Sequence, residues 1–231
     1  MDQAVTQDAT MQIAVDFADA RKKMVDGQIR PNKVSNPAIL AALRSLPRER
    51  FVPAAQAALA YADEPVPLGN GRVLAEPRAI AKLIQLCAPE VGARVLVVAA
   101  GTGYGAAVMA ACGTLVTALE EDEALLDIAR PALAALAPAV GIVDGRLAAG
   151  WSAGAPYDII LIEGAVDTVP PEIAAQLRPG SGRLVTVRAG RGLASQAMIA
   201  EMTPAGLSTR DAFDCAMPVL PSLRAAPGFV F

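Results

Sequence analysis

The residues with the clearest chemical capacity sit close together. An apolar run, Val95 to Ala99, leads directly into Gly101-Thr102-Gly103 and then into a helical pattern. Glycines at a strand-to-helix turn let the backbone approach a ligand closely, and the first turn of the helix offers free N–H groups. Glu120 closes the next apolar run, about 20 residues further on. A carboxylate there is placed to accept hydrogen bonds from the two ribose hydroxyls of an adenosine ligand. The competing reading makes Glu120 one member of a solvated Glu120-Glu121-Asp122 cluster. Asp144-Gly145 follows a third apolar run. An acid there can meet an adenine amino group, although Asp-Gly also makes ordinary turns. Gly101-x-Gly103-x-x-Ala106 fits the dinucleotide fingerprint too, so the glycine turn alone leaves an NAD-binding oxidoreductase open.

Composition narrows the chemistry. The 231 residues contain no histidine. That excludes His general bases, Ser-His-Asp and Cys-His nucleophiles, and His-ligated metal. Hydrophobic residues make up 54% and charged residues 19%. That is the balance of a packed globular protein. The net charge of -3 gives no bulk attraction to nucleic acid, and no nucleic-acid partner is expected. Cys87, Cys112 and Cys215 form no CxxC pair and no metal spacing, so no metal is expected, and they read as buried small hydrophobes. Acids at Asp2 and Asp8, without a basic-then-apolar leader, make a cytoplasmic location the expectation. Val95 to Leu119 carries no charge, but its four glycines and terminal β-branched residues read as strand, turn, helix and strand, not as a membrane span.

These groups need elements to hold them. Met11 to Ile29 reads as a helix with Arg21, Lys22 and Lys23 solvated. Asn36-Pro37 reads as an N-cap and first helical residue, and Pro47 stops that helix. Residues 61 to 71 (YADEPVPLGNG) read as loop, and Glu76-Pro77 opens a helix to about Cys87. From Arg94 onward short apolar runs alternate with helical patterns: RVLVVA, TLVTAL, VGIV, YDIILI and RLVTVR as strands, and PEIAAQL among the helices. That alternation predicts an α/β fold with a mostly parallel sheet. The stretch after Gly190 reads as a late antiparallel pair.

Several segments in order carry a resemblance. MVDGQIRPNKVSNPAILAALRSLPRERFVP, YADEPVPLGNG, VLVVAAGTGYGAAVMA, APYDIILIEGAVDTVP and RPGSGRLVTVRAG together resemble the protein-L-isoaspartate O-methyltransferase family, from about Met24 onward. The resemblance implies a seven-strand Rossmann-like methyltransferase sheet with N-terminal helices over the cleft. It implies residues 1–75 as a helical and loop region beside a cofactor-binding unit at 76–231, folded together as one compact body. It implies S-adenosylmethionine (SAM) as cofactor in a site at Val97, Ala99, Gly101, Gly103, Glu120, Asp144 and Gly145, with Glu163 added as a candidate from the departures below, and a protein or peptide substrate in a cleft at Asn70, Gly71, Ala75 and Glu76. Tyr104 is expected near the cofactor, Trp151 and Tyr157 in the core or cleft wall, and the apolar tail Phe229-Val230-Phe231 docked on the protein or a partner. The chemistry suits a chain without histidine, because an isoaspartyl carboxylate is already an anion and alignment supplies much of the catalysis.

The departures point elsewhere. The family's Ser-Gln-Pro is Ala75-Glu76-Pro77 here, so no residue is put forward as catalytic. The acid of its first strand is Val97, its first turn glycine is Ala99, and its Thr-Ala-Ala-Ala is Glu163-Gly164-Ala165-Val166. A positive φ at Ala99 would store roughly 1–3 kcal/mol of strain. Glu76 and Glu163 both fall in cleft segments, unless they face solvent or pair with Arg72 or Arg78. A like charge at ~4 Å costs an anionic substrate about 4 kcal/mol at an effective dielectric of 20, so weak or absent isoaspartyl activity is expected. Glu163 alternatively replaces the lost acid at Val97 against the cofactor ammonium. A non-catalytic binding or scaffold module is the second reading.

Overall fold

The computed structural model describes residues 15–190 and 194–224. The docking expected of Phe229-Val230-Phe231 lies outside them, as does the start of the helix expected from Met11.

Local sequence signals set the first elements. Helix α1 (Phe17–Met24) is capped by the Asp16 carboxylate and runs into a π turn at Val25–Ile29. Asn36 accepts from the Ala38 N–H at 2.9 Å and from the Ile39 N–H at 3.3 Å. Pro37 takes the first position of α2 (Pro37–Ser45), so cap and proline both act as the sequence predicts. The stretch expected to be loop, 61 to 71, holds β1 (Val66–Gly69) and the tip Asn70-Gly71 of a small hairpin, whose second strand β2 (Arg72–Leu74) follows just beyond it. Helix α3 (Pro77–Cys87) begins at the predicted proline and buries Ile80, Leu83, Ile84 and Cys87.

The remaining chain alternates as expected. In order come β3 (Arg94–Val98), α4 (Tyr104–Ala111), β4 (Leu115–Glu120), α5 (Glu123–Leu136), β5 (Gly141–Asp144), β6 (Ile159–Val166), α6 (Pro171–Ala174), β7 (Arg183–Arg188), β8 (Gln196–Thr203) and β9 (Gly206–Asp214). The seven-stranded sheet has the order β5-β4-β3-β6-β7-β8-β9, parallel through β7 and antiparallel for the last two pairs. The uncharged Val95–Leu119 stretch is β3, α4 and β4, apolar because all three are central. No helix among the described residues is long and apolar enough to cross a membrane.

Two elements differ from expectation for tertiary reasons. The PEIAAQL helix stops at Ala174 because the chain then pairs with the segment before β6. The Tyr157 N–H donates to Gln176 O at 2.8 Å, and the Arg178 N–H donates to Tyr157 O at 2.7 Å. Strand β6 runs four residues beyond the predicted Ile162, and its register against β7 shifts between Leu161 and Ala165. Ile162, Glu163 and Gly164 thus bulge opposite Thr186. The Thr186 hydroxyl donates to Gly164 O at 3.1 Å.

The N-terminal helices close over one side of the sheet. Ile29, Leu43, Phe51 and Ile80 share a buried cluster with Val97 and Tyr104. Cys87, Cys112 and Cys215 are free thiols and buried. Tyr157 is in the core, while Trp151 is 38% exposed.

Candidate functional site

Chain order reverses between β3 and β6, and such a switch point opens a crevice at the carboxyl ends of the strands. The glycine turn sits there. Ala99 adopts φ +57°, so the strained conformation considered from the sequence is present. Gly101 and Gly103 have φ +58° and +91°. A Cβ is disfavoured in that region of backbone conformation. A Cβ on Gly103 would also lie 2.7 Å from Leu133 Cδ1. Tyr104 then begins α4, fully buried and packed edge-on against Phe51.

Glu120 ends β4 at 1% exposure, so it is no part of a solvated cluster. Its Oε2 accepts from the Gly101 N–H at 2.7 Å, and its Oε1 accepts from the N–H groups of Glu121 and Asp122 at 3.0 Å and 3.1 Å. The acid and the glycine turn are therefore one assembly. Beside it lies a cavity of about 440 Å³ lined by Asn70, Arg72, Asp122, Leu147, Leu220 and Ser222. That size is typical of small-ligand sites. Asp144 lies beside Glu120 in the sheet but is exposed, and the Gly145 N–H donates to Glu120 O at 3.0 Å.

Arg72 was not anticipated in this position. Its Nη1 and Nη2 donate to the two Glu120 carboxylate oxygens, each at 2.9 Å, and Nη2 also donates to Ala99 O at 2.9 Å. Its neighbour Asn70, with φ +49°, donates to Asp122 Oδ2 at 2.8 Å, and Gly71 completes the hairpin tip. Asn70, one of the expected cleft residues, thus stands at the rim of the cavity beside Glu120.

The other expected cleft positions lie deeper or further out. Ala75 is buried, and its carbonyl accepts from Arg48 Nη2. Arg48 is fully buried, stacks 4.7 Å from the Tyr104 ring centroid, and leaves Nη1 without a partner. Burial pushes its guanidinium below the usual value. Sequence reasoning passed over Arg48, which nothing in its neighbourhood distinguishes from Arg44 or Arg50. Glu76 is partly exposed and pairs with Arg78 at 3.0 Å, one of the partners weighed from the sequence. Its charge is therefore met locally and is not aimed unpaired at the cleft.

Glu163 occupies the β6 bulge. The residue is partly open to solvent, but Oε1 is buried and has no partner. The carboxyl lies against the first turn of α4, where a Cβ on Gly105 would overlap Oε1. Burial, opposed by the Arg72 cation and reinforced by the Glu120 anion, pushes its pKa up to about 8. Val97, the position of the missing acid, is buried in β3 among apolar neighbours.

The sheet order, the glycine turn and the buried acid at the end of β4 define the class I methyltransferase fold. Known proteins agree. The profile of the protein-L-isoaspartate(D-aspartate) O-methyltransferase family matches residues 19–201. A protein-L-isoaspartate O-methyltransferase of Methylorubrum extorquens is 45% identical over 170 residues, covering 74% of each chain. One of Gloeobacter violaceus is 35% identical over 192 residues, covering 82% of this chain and 93% of its own. A solved structure described as the Plasmodium falciparum enzyme in complex with S-adenosyl-L-homocysteine shares the fold, with a TM-score of 0.72 at 15% identity, covering 90% of this chain and all of its own. The chain belongs to the protein-L-isoaspartate(D-aspartate) O-methyltransferase family.

Proposed function

We propose that this protein is a SAM-dependent methyltransferase acting on a carboxylate of damaged aspartyl residues in proteins, with reduced isoaspartyl turnover. The observation that carries the reading is the joined pair of Glu120 and the glycine turn, 2.7 Å from Oε2 to the Gly101 nitrogen, beside a cavity of ligand size. The residues fit the cofactor. Glu120 stands where ribose hydroxyls are received, and Gly145 follows β5 beside it. Glu163 borders α4's first turn, a place from which it serves the cofactor's ammonium in place of the acid missing at Val97.

Bound there, SAM supplies a methyl group on a sulfonium, and a carboxylate acceptor gives up no proton to receive it. The chain's own task is to hold and align, which suits a protein with no imidazole. What it lacks is the family's hydroxyl at Ala75. Losing one hydrogen bond to a charged group costs about 1.5–3 kcal/mol, or roughly 10- to 150-fold in rate. Glu76 adds little to that loss, being paired with Arg78. With its charge met by the cofactor's ammonium, Glu163 also repels an anionic acceptor less than the sequence implies.

An isoaspartyl peptide assayed with labelled SAM tests this. Slow methyl-ester formation supports the reading, and turnover equal to an ordinary family member removes the claim of reduced activity. The second reading, a non-catalytic binding module, is favoured by Ala75 and by Arg72's hold on Glu120. Absence of SAM binding would support it.

A further inference from the structure

A carboxylate offers about four lone-pair sites. Glu120 already receives five N–H groups: two from Arg72, and one each from Gly101, Glu121 and Asp122. No acceptor capacity is left for a ribose diol. Three of the five donors are backbone N–H groups of the glycine turn and of the chain leaving β4, and they cannot leave without rebuilding those turns. The two guanidinium donors can. They belong to one side chain on a short two-stranded hairpin, 10% exposed, held otherwise by a single bond to Ala99 O.

We infer that Arg72 occupies the ribose-hydroxyl positions of the cofactor site, so that cofactor binds by exchange: the guanidinium leaves Glu120 as the diol arrives. Arg72 is then an affinity-determining residue that touches the cofactor's own acceptor. The hairpin gives it a route out. Arg72 follows directly on Asn70 and Gly71, both in the left-handed region, at a tip tied to the protein by the exposed Asn70–Asp122 hydrogen bond. The cavity rim at Asn70, Asp122 and Ser222 lies beside it.

The inference rests on the SAM reading of this site. The test is calorimetry with S-adenosylhomocysteine on the wild-type chain and on Arg72→Gln, with thermal melts to confirm folding. The amide keeps one donor near Glu120 and removes the competing charge. Affinity at least tenfold tighter in R72Q is expected. Unchanged or weaker affinity in a folded R72Q overturns the inference and leaves the SAM reading standing. No binding by either protein overturns both. Where R72Q does not fold, the wild-type chain decides through adenosine and 2′,3′-dideoxyadenosine. Exchange predicts less than a threefold difference, because the diol gains only what the guanidinium gives up. A loss of tenfold or more without the diol overturns it.

Discussion

Replacing Glu163 by glutamine removes a titration and keeps the shape. The carboxyl lies in the β6 bulge against α4, with Oε1 unpartnered, and its pKa rises from 4.5 to about 8. The folded chain therefore holds this proton more tightly than the unfolded chain does. Its contribution to stability is full below about pH 4.5, is lost as pH rises toward 8, and is constant above that. At about 1.4 kcal/mol per pH unit, the span sets a ceiling of roughly 5 kcal/mol. Part of the residue reaches solvent, so about half the ceiling, roughly 2 kcal/mol, is the working figure. Urea unfolding of the wild type and of Glu163→Gln at pH 5, 7 and 9 reads it directly. The wild type should lose about 2 kcal/mol relative to the variant across that range. Parallel pH profiles would refute the reasoning, and so would a wild type that gains on the variant as pH rises.

Two further outcomes follow from the same crevice. Ala99→Gly relieves a left-handed alanine, worth roughly 1–2 kcal/mol, against an unfolded-state cost of about 0.4–1 kcal/mol. A net gain of about 0.5–1 kcal/mol in thermal unfolding is expected, and a loss would show that Ala99's methyl packing outweighs its φ. Gly105→Ala pushes a methyl into the Glu163 carboxyl. Such a clash should cost about 1–3 kcal/mol. In a Glu163→Ala background the same change should cost less than half as much, and an equal cost would place the clash elsewhere.

Much of this architecture was legible because local chemistry and tertiary structure agree. Asn36-Pro37 and Glu76-Pro77 start helices where capping and fixed φ require. RVLVV and RLVTVR are strands with their predicted bounds nearly intact, being apolar runs buried on both faces. The β1–β2 hairpin was hidden because its strands are four and three residues long and the first contains Pro67. The helix in PEIAAQL was legible, but its early end at Ala174 was hidden, because that end is decided by pairing with Tyr157 and no property of PEIAAQL records it. Glu120 was legible from its spacing to the glycines. Its partner was not, because Arg72 lies 48 residues away and no periodicity links them.

The wall of the cavity beside Glu120 has an order of manufacture. The Ala165 N–H donates to Pro218 O and the Leu220 N–H donates to Ala165 O, both at 2.9 Å. These bonds seat Leu220 against Gly164 and put Leu220 and Ser222 on the cavity's edge. The ribosome releases the glycine turn, Glu120 and Gly164 first and Leu220 fifty-six residues after Gly164. At about 5–20 residues per second, that is a delay of roughly 3–11 s. Until the strap 218–223 emerges, the cavity has no Leu220 or Ser222 to close its edge and β6 has no partner for the Ala165 backbone on that side.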